Sequence, residues 1–364
     1  MPVQASKASG SKVTLDGRRF MVDGAPFLIR GVHYGPWRPR TGPNKQYPYP
    51  PLDGIARDLT MIRATGANTV LVYDAPGEVL DLAAREGLMV VYVFALDWHS
   101  VGGPTQPEMT TAIVDRVRGL RDKPALLAWL LGNEVGGDVL QLRGDAPIVA
   151  GLREMYLAIT AVDGAHPVSH ANWPPARRLD LRFLDFTSFN VYPLWPPEVV
   201  ARGFGPYIAE VLLPIAGNKP LLISEFGANT VEAGEEGQAR LIRESWEGLL
   251  AAGAVGGIVF EFADEWWKNY DNPTKAGDWW TRSKAPDDEL QHDNDPEEYY
   301  GLVTADRTPR PALATVTRMF TESSPRSTAR FYSGLALSVL IMTAVAALVW
   351  GQRRQRRGRV TPPL

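Results

Sequence analysis

Eight apolar segments rich in β-branched and aromatic residues recur along the chain, and amphipathic helical patterns separate them. They begin at Leu28, Asn68, Met89, Ala125, Pro167, Phe186, Pro220 and Gly256. Strands that are apolar on both faces need helices on both faces, which is typical of a parallel sheet. Eight such units in about 300 residues predict an α/β fold, a (β/α)8 TIM barrel. An open doubly wound sheet is the alternative, but no glycine-rich phosphate loop follows the first segment.

The residues before the first of these segments follow a different pattern. The stretch VTLDGRRFMVDGAPFLIRG alternates apolar and polar residues around two Asp-Gly turns, which predicts a short N-terminal β-hairpin. The predicted organisation then has five parts. They are an N-terminal segment and β-hairpin (1–26), the barrel (27–322), a linker (323–330), a transmembrane helix (331–350) and a basic cytoplasmic tail (351–364).

The segment 331–350 reads FYSGLALSVLIMTAVAALVW and carries no charge. Twenty helical residues are long enough to cross a hydrocarbon core of about 30 Å; a buried core helix is the alternative. Five Arg follow this segment and two precede it, so the positive-inside bias predicts a cytoplasmic C-terminus. We therefore expect a membrane-anchored protein whose barrel is extracytoplasmic, either periplasmic or at the cell surface. MPVQASKASG offers no apolar export signal; we expect a trimmed or misassigned start rather than the opposite orientation.

The net charge of −3 is an average over two unlike regions. Residues from Arg326 onward hold seven Arg and no acidic residue, whereas the preceding residues hold 31 basic and 41 acidic side chains, a charge of −10. A body this acidic is a poor binder of nucleic acid. With no Cys, no HExxH spacing and no Gly-x-Ser-x-Gly, thiolate, zinc and serine hydrolase chemistry are disfavoured. An acidic stretch at 261–298 matches no EF-hand, so no metal and no cofactor are predicted.

Polar and aromatic side chains stand where the predicted strands end. His33, Tyr73, Glu134, Glu225 and Glu261 are examples, and no similar grouping occurs where the strands begin. The carboxyl ends of barrel strands open on one face, where the connecting loops build active sites. This pattern predicts a site on that face.

Two of these residues are glutamates on nearly opposite strands of the predicted ring. Glu134 ends the fourth strand in LLGNEV, and Glu225 ends the seventh in LLISEFG. A single such Glu could be a cap or a solvent-facing residue, but a pair is what glycosidic bond cleavage needs. One carboxyl protonates the leaving oxygen, and the other attacks the anomeric carbon or activates water, according to their separation.

These motifs resemble the clan A retaining glycoside hydrolases. The opening LDGRRFMVDGAPFLIRGVHY resembles the entry into the barrel of family 2 enzymes, alongside the related family 5 barrels. GANTVLVYDA, LLGNEV, ISEFG, GGIVFEFADE and YYGLV are more similar to family 72, the β-1,3-glucanosyltransferases. The resemblance covers most of residues 15 to 320.

Position by position, the resemblance implies that Glu134 is the general acid/base and Glu225 the nucleophile. Asn133 would bind the sugar 2-hydroxyl, and Tyr192 would donate to the nucleophile and keep it ionised. One departure is Leu71, which stands where the family pattern has an Arg that positions the nucleophile. His33 is the expected substitute.

Tryptophans occur at or after several predicted strand ends, and an indole face suits the C–H face of a sugar. Trp98, Trp173 and Trp266 are the predicted platforms, and Tyr73 and Glu261 complete the predicted substrate site. We predict a retaining β-glycoside hydrolase or transglycosylase whose partner is a neutral β-glucan-type polysaccharide or oligosaccharide, because an acidic body disfavours an anionic one. A non-catalytic glycan-binding membrane protein on the same barrel is the alternative, and a metal-dependent hydrolase is the third possibility.

Overall fold

The computed structural model describes residues 11–35, 51–265 and 296–322. The chain divides into two compact units, Met1–Thr317 and Arg318–Leu364. The first holds every strand named below. Within the second, the described residues 318–322 are helical.

Eight parallel strands close into a barrel, as the sequence predicts. Their order around the ring follows the chain from β4 to β11, and β11 pairs with β4 to close it. The strands are β4 (Ile29–His33), β5 (Thr69–Tyr73), β6 (Met89–Phe94), β7 (Leu126–Asn133), β8 (Val168–Asn172), β9 (Thr187–Asn190), β10 (Leu221–Phe226) and β11 (Gly256–Val259). Every residue of β5, β6, β8, β10 and β11 is buried, because side chains on one strand face fill the barrel and those on the other meet the helices.

The connecting helices place apolar residues on the face that meets the barrel. In the first of them, Ile55, Leu59 and Ile62 recur at helical spacing and are fully buried. The helices are α1 (Leu52–Ala64), α2 (Gly77–Arg85), α3 (Gln106–Leu120), α4 (Gly137–Arg143), α5 (Asp145–Thr160), α6 (Pro197–Arg202), α7 (Phe204–Tyr207), α8 (Leu213–Ala216), α9 (Thr230–Ala251) and α10 (Pro311–Glu322). A π-helical turn (Ile208–Leu212) and two 3-10 turns (Pro174–Ala176, Pro296–Glu298) complete the described elements.

A small antiparallel sheet covers the end of the barrel where the strands begin. It has three strands, β1 (Val13–Asp16), β2 (Arg19–Val22) and β3 (Ala25–Pro26), so the predicted hairpin gains a third strand after the second Asp-Gly turn. The Phe20 ring packs edge-on against Phe186, just before β9, at a centroid distance of 5.0 Å. Because this end of the barrel is plugged by apolar side chains, the opposite end is left for chemistry.

The predicted fold class is wrong in its C-terminal transmembrane helix. No helix in the described ranges is both long enough and apolar enough to cross a membrane. The longest, α9, has 22 residues but carries five Glu and two Arg, whose burial in hydrocarbon is costly. The segment 331–350, on which the anchor and the orientation depend, lies outside the described residues.

Candidate active site

The two predicted catalytic glutamates both stand at the carboxyl end of the barrel. Glu225 lies within β10 and is 5% exposed. Glu134 follows β7 directly, and its backbone N–H donates to the Ala171 carbonyl of β8 at 2.9 Å. Asn190 links their surroundings: its Nδ2 donates to Glu134 Oε1, and its Oδ1 accepts from the hydroxyl of Ser224, the residue before Glu225. The structure thus brings together the pair on which the sequence prediction rests.

Two tyrosines hold the Glu225 carboxylate. The Tyr192 hydroxyl donates to Oε2 at 2.8 Å, and the Tyr73 hydroxyl donates to Oε1 at 3.2 Å. Burial, and then the charge of Glu225, raises the pKa of both tyrosines well above the usual value, so both remain protonated donors. Donors aimed at a carboxylate favour its ionised form. Tyr192 therefore has the contact that the family resemblance implies.

We expect Tyr192→Phe to lower kcat/KM by about 10- to 100-fold, the equivalent of losing a hydrogen bond to a charged group worth roughly 1.5–3 kcal/mol. Loss of the donor also makes Glu225 easier to protonate, so the acidic limb of the pH–rate profile should move to higher pH. Pre-steady-state and steady-state rates measured from pH 4 to pH 9 test both effects. Tyr73→Phe is the matched control and should have the smaller effect, because its bond is longer. Equal acidic limbs in wild type and Tyr192→Phe would contradict this role.

Glu134 is surrounded by groups that keep it protonated. Burial, followed by the negative charge of Glu225, raises the pKa of its carboxyl to about 8. The Asn190 amide partly opposes this shift, since its Nδ2 donates to Glu134 Oε1 at 2.9 Å. A carboxyl that holds its proton near neutral pH is suited to general acid catalysis.

Asn190 organises the acid side of the site, a role that the sequence did not predict. Its Nδ2 also donates to Asn133 Oδ1 at 2.8 Å, and its own Oδ1 accepts from the Ser224 hydroxyl at 2.7 Å. Asn190 thereby links residues at the ends of β7, β9 and β10. Its position at a strand end was a signal, but nothing in the sequence indicated which neighbours it would contact.

The end of β7 leaves the regular ladder just before Glu134. The pairing with β8 shifts register between Leu130 and Asn133, and Glu134 has a φ of 40°, a backbone conformation that is costly for a non-glycine residue. We call residues 131–133 the strand-end bulge. It turns consecutive residues, Asn133 and Glu134, so that both contact the Asn190 amide.

Side chains satisfy the carbonyls that the strand-end bulge removes from the ladder. The Nδ1 of His170 donates to the Leu131 carbonyl at 2.7 Å, and the Trp98 indole donates to the Asn133 carbonyl at 2.9 Å. Burial lowers the pKa of His170 to about 4, so the ring is neutral and Nδ1 carries its proton. Gly132 has a φ of 70° and touches the Trp98 ring, where a Cβ atom would approach within 2.6 Å. Two side chains therefore support the bulge, and their rings also contact each other, with centroids 5.4 Å apart.

We expect His170→Phe to destabilise the fold by about 1–3 kcal/mol and to lower kcat more than it changes KM, because a buried carbonyl loses its donor and Glu134 loses its support. Denaturant unfolding and steady-state kinetics measure the two effects. His170→Asn can restore a donor near the Nδ1 position and should recover much of kcat. Equal rates for the Phe and Asn variants would show that the hydrogen bond has no positioning role.

His33, the expected substitute for the family Arg, lies beside Glu261. Its Nδ1 lies 3.3 Å from Glu261 Oε2, and both side chains are buried. Leu71 is fully buried in the barrel core. The second hydroxyl on Glu225 comes from Tyr73, two residues after Leu71 on the same strand. His33 packs edge-on against the Tyr73 ring, at a centroid distance of 5.5 Å.

Two of the predicted platforms, Trp98 and Trp173, lie beside the end of β7. Trp98 supports the strand-end bulge from outside the ladder, and the Trp173 indole donates to the Val135 carbonyl at 2.9 Å, next to Glu134. Trp266 lies outside the described residues. Tyr300 was not predicted, yet its ring lies 5.6 Å from that of Tyr192. Tyr300 belongs to segment 296–303, which is far from Tyr192 in the chain, so the spacing of residues in the sequence did not predict this contact.

A (β/α)8 barrel that carries a buried acidic pair on the ends of its fourth and seventh strands belongs to the class of glycoside hydrolase barrels. The comparisons agree with this class. The model of "Glycosyl hydrolases family 2, TIM barrel domain" matches residues 13–323. The chain therefore belongs to glycosyl hydrolase family 2, as a TIM barrel domain of that family, and the resemblance found in the sequence is confirmed.

Curated relatives show both branches of that resemblance. The chain is 22% identical over 281 residues to β-glucuronidase of Mus musculus, covering 69% of this chain and 41% of the relative. It is 24% identical over 282 residues to 1,3-beta-glucanosyltransferase gel1 of Aspergillus fumigatus, covering 70% of this chain and 59% of the relative. The chain thus spans only about half the length of these relatives.

Solved structures share the fold at low identity. A family 2 β-galacturonidase from Eisenbergiella tayi, bound to galacturonate, superposes with a TM-score of 0.65 at 20% identity, covering 85% of this chain and 54% of that one. A β-glucuronidase of Faecalibacterium prausnitzii gives a TM-score of 0.66 at 19% identity, covering 86% and 52%. At this identity the likeness concerns the fold.

Proposed function

We propose that this chain is a retaining β-glycoside hydrolase or transglycosylase that acts on a neutral β-glucan-type polysaccharide. The observation that carries the proposal is the unequal environment of the two glutamates. Glu225 accepts from two tyrosine hydroxyls, which favours the carboxylate, whereas burial and the neighbouring charge hold the proton on Glu134. Two carboxyl groups in such unequal environments can divide the roles of nucleophile and acid.

The proposed reaction has two displacements. In the first, a Glu225 oxygen attacks the anomeric carbon, the glycosidic C–O bond breaks, and the Glu134 proton passes to the leaving oxygen. In the second, Glu134 takes a proton from water or a sugar hydroxyl, whose oxygen attacks the same carbon and releases the Glu225 carboxylate. Asn133 is the proposed partner of the 2-hydroxyl, held in place by Asn190.

The change of role at Glu134 follows from its surroundings. The charge of Glu225 is one of the causes that raise the Glu134 pKa. When Glu225 becomes a neutral ester in the covalent intermediate, that cause disappears and the pKa of Glu134 falls. The ionised Glu134 carboxylate is then favoured and can serve as the base. The same residue can then act in both displacements without a second proton donor.

Among the described residues, the acidic side chains near the site favour a neutral sugar. Glu261, Glu265 and Glu298 are all at most 3% exposed near the end of β11, and the charge of Glu297 raises the pKa of Glu134. Two nearby arginines are engaged in bidentate pairs, Arg310 with Asp264 and Arg307 with Asp58. A uronate carboxylate would meet repulsion here. The relative named 1,3-beta-glucanosyltransferase is therefore a better guide to the substrate than those named β-glucuronidase.

A linkage screen tests this function. The purified chain should be incubated with β-1,3-, β-1,4- and β-1,6-linked glucans, with β-mannans and with aryl β-glucuronides. We expect cleavage of a neutral glycan, with the β-anomer formed first by proton NMR; products longer than the substrate would identify a transglycosylase. Initial formation of the α-anomer would reject the double displacement. Cleavage of glucuronides alone would contradict the proposal of a neutral substrate. If no glycoside is cleaved, the proposal that the chain is a glycoside hydrolase or transglycosylase is wrong.

A further inference from the structure

Trp195 is the most unusual exposed side chain near the site. It lies in the loop after β9 and leaves 47% of its surface in solvent, although an indole is large and mostly apolar. The Trp173 ring stacks against it, with centroids 5.3 Å apart and planes 24° from parallel. Because Trp173 covers one face of the Trp195 ring, the exposed area belongs to the other face and to its edge.

The stacked pair is anchored beside both catalytic residues. The Trp173 indole is fixed by the carbonyl of Val135, the residue after Glu134. Trp195 forms a β-bridge with Tyr192, whose hydroxyl donates to Glu225. Both loops follow strands at the carboxyl end of the barrel, which is the end that carries the acidic pair. Trp173 thus fixes the stacked pair next to Glu134 at this end of the barrel.

The position of the general acid indicates which sugar unit of the substrate would contact the stacked tryptophans. A general acid must lie close to the oxygen that leaves, so the leaving part of the substrate lies toward Glu134. A β-linked glucose unit presents an apolar C–H face, because its hydroxyl groups are equatorial. A flat and partly exposed indole, supported from behind by a second indole, complements such a face.

We propose that Trp173 and Trp195 form an aromatic platform that binds the neutral sugar unit on the leaving-group side of the scissile bond. This inference rests on the proposed function. The platform would also receive an acceptor sugar, because the acceptor enters along the path that the leaving sugar takes. Trp195 was not among the predicted platforms, and it provides the surface that Trp173, half-buried behind it, cannot present alone.

The test compares how the chain cleaves two substrates. Laminaritriose places a sugar on the leaving-group side, whereas β-D-glucosyl fluoride has fluoride there and no sugar. In Trp195→Ala the ratio of kcat/KM for the trimer to kcat/KM for the fluoride should fall by about 10- to 100-fold, the usual effect of truncating a well-placed Trp contact. Trp195→Phe should lose less. Leu194→Ala, at an exposed neighbouring residue, is the control and should keep the wild-type ratio.

Binding provides a second and independent measurement. Calorimetry with laminaritriose should give a Kd that is about 10-fold or more weaker for Trp195→Ala than for the unsubstituted chain. A wild-type chain that cleaves neither substrate would reject the proposed function, and the Kd comparison would then decide the platform alone. Equal Kd values, or an unchanged ratio of kcat/KM in an active chain, would overturn the platform.

Discussion

Glu225→Ala is expected to lower kcat/KM by about 10⁴-fold or more, since the variant removes the proposed nucleophile. Glu225 is buried and accepts from Tyr192 and Tyr73, so no neighbouring carboxylate can take the same position between these hydroxyls. Steady-state kinetics with an activated aryl β-glucoside measure the loss. Glu108→Ala, at an exposed carboxylate on α3, is the matched control and should retain wild-type activity.

Azide distinguishes a lost nucleophile from a damaged fold. In Glu225→Ala, azide can enter the space left by the carboxylate, attack the anomeric carbon from that face and restore turnover, giving the α-glycosyl azide from a β-glycoside. Glu225→Gln keeps the shape and the two tyrosine contacts, and should be equally slow without being rescued. Unimpaired turnover by either variant would sink the assignment of Glu225.

Glu134→Gln is expected to remove the alkaline limb of the pH–rate profile and to lower kcat/KM by about 10²- to 10⁴-fold for unactivated glycosides. The acid must be protonated, and its pKa is raised to about 8, so wild-type activity is present below this pH and is lost as the pH rises through it. With an activated aryl glycoside, whose leaving group needs no proton, the rate of the first displacement should be close to that of wild type. Glu134→Ala with azide should give the β-glycosyl azide, opposite to Glu225→Ala. A surviving alkaline limb in Glu134→Gln would assign the proton to another group.

The same pKa carries a stability prediction. The folded pKa of Glu134 is raised from 4.5 to about 8, so the folded protein binds this proton more tightly than the unfolded chain. Stability therefore falls as the pH rises from about 4.5 to about 8. Glu134→Gln removes this term, and its Tm should exceed that of wild type by a few degrees at pH 8 and approach it near pH 4. A constant Tm difference across this range would contradict the burial-driven shift.

The barrel and its acidic pair were predictable because each depends on local patterns. Apolar runs of strand length, separated by amphipathic helices, have few folds available to them. Once the barrel is inferred, chain connectivity alone places Glu134 and Glu225 at the same end. The contact between the Tyr73 hydroxyl and Glu225 was not predictable, because it depends on how strands far apart in the chain are aligned around the ring.

The N-terminal sheet shows where local patterns are incomplete, and the predicted membrane helix is a further correction. Alternation and two Asp-Gly turns predicted two strands, but the third, Ala25–Pro26, is only two residues long and has no periodicity to detect. An apolar run of twenty residues predicted a membrane helix, yet the described part of the chain contains no helix of that character.

By itself, the sequence determined the barrel, the order of its strands and the two glutamates that they carry, because residue spacing and chain order are sufficient for these. The tertiary structure decided which neighbours set the chemistry of each glutamate. Tyr73 and Tyr192 reach one, and Asn190, supported by Ser224, reaches the other. These contacts join residues far apart in the chain, and their distances depend on strand register and on a bulge that shifts it. A shift of one residue along a strand reverses the direction of its side chains, so only the folded barrel specifies the site.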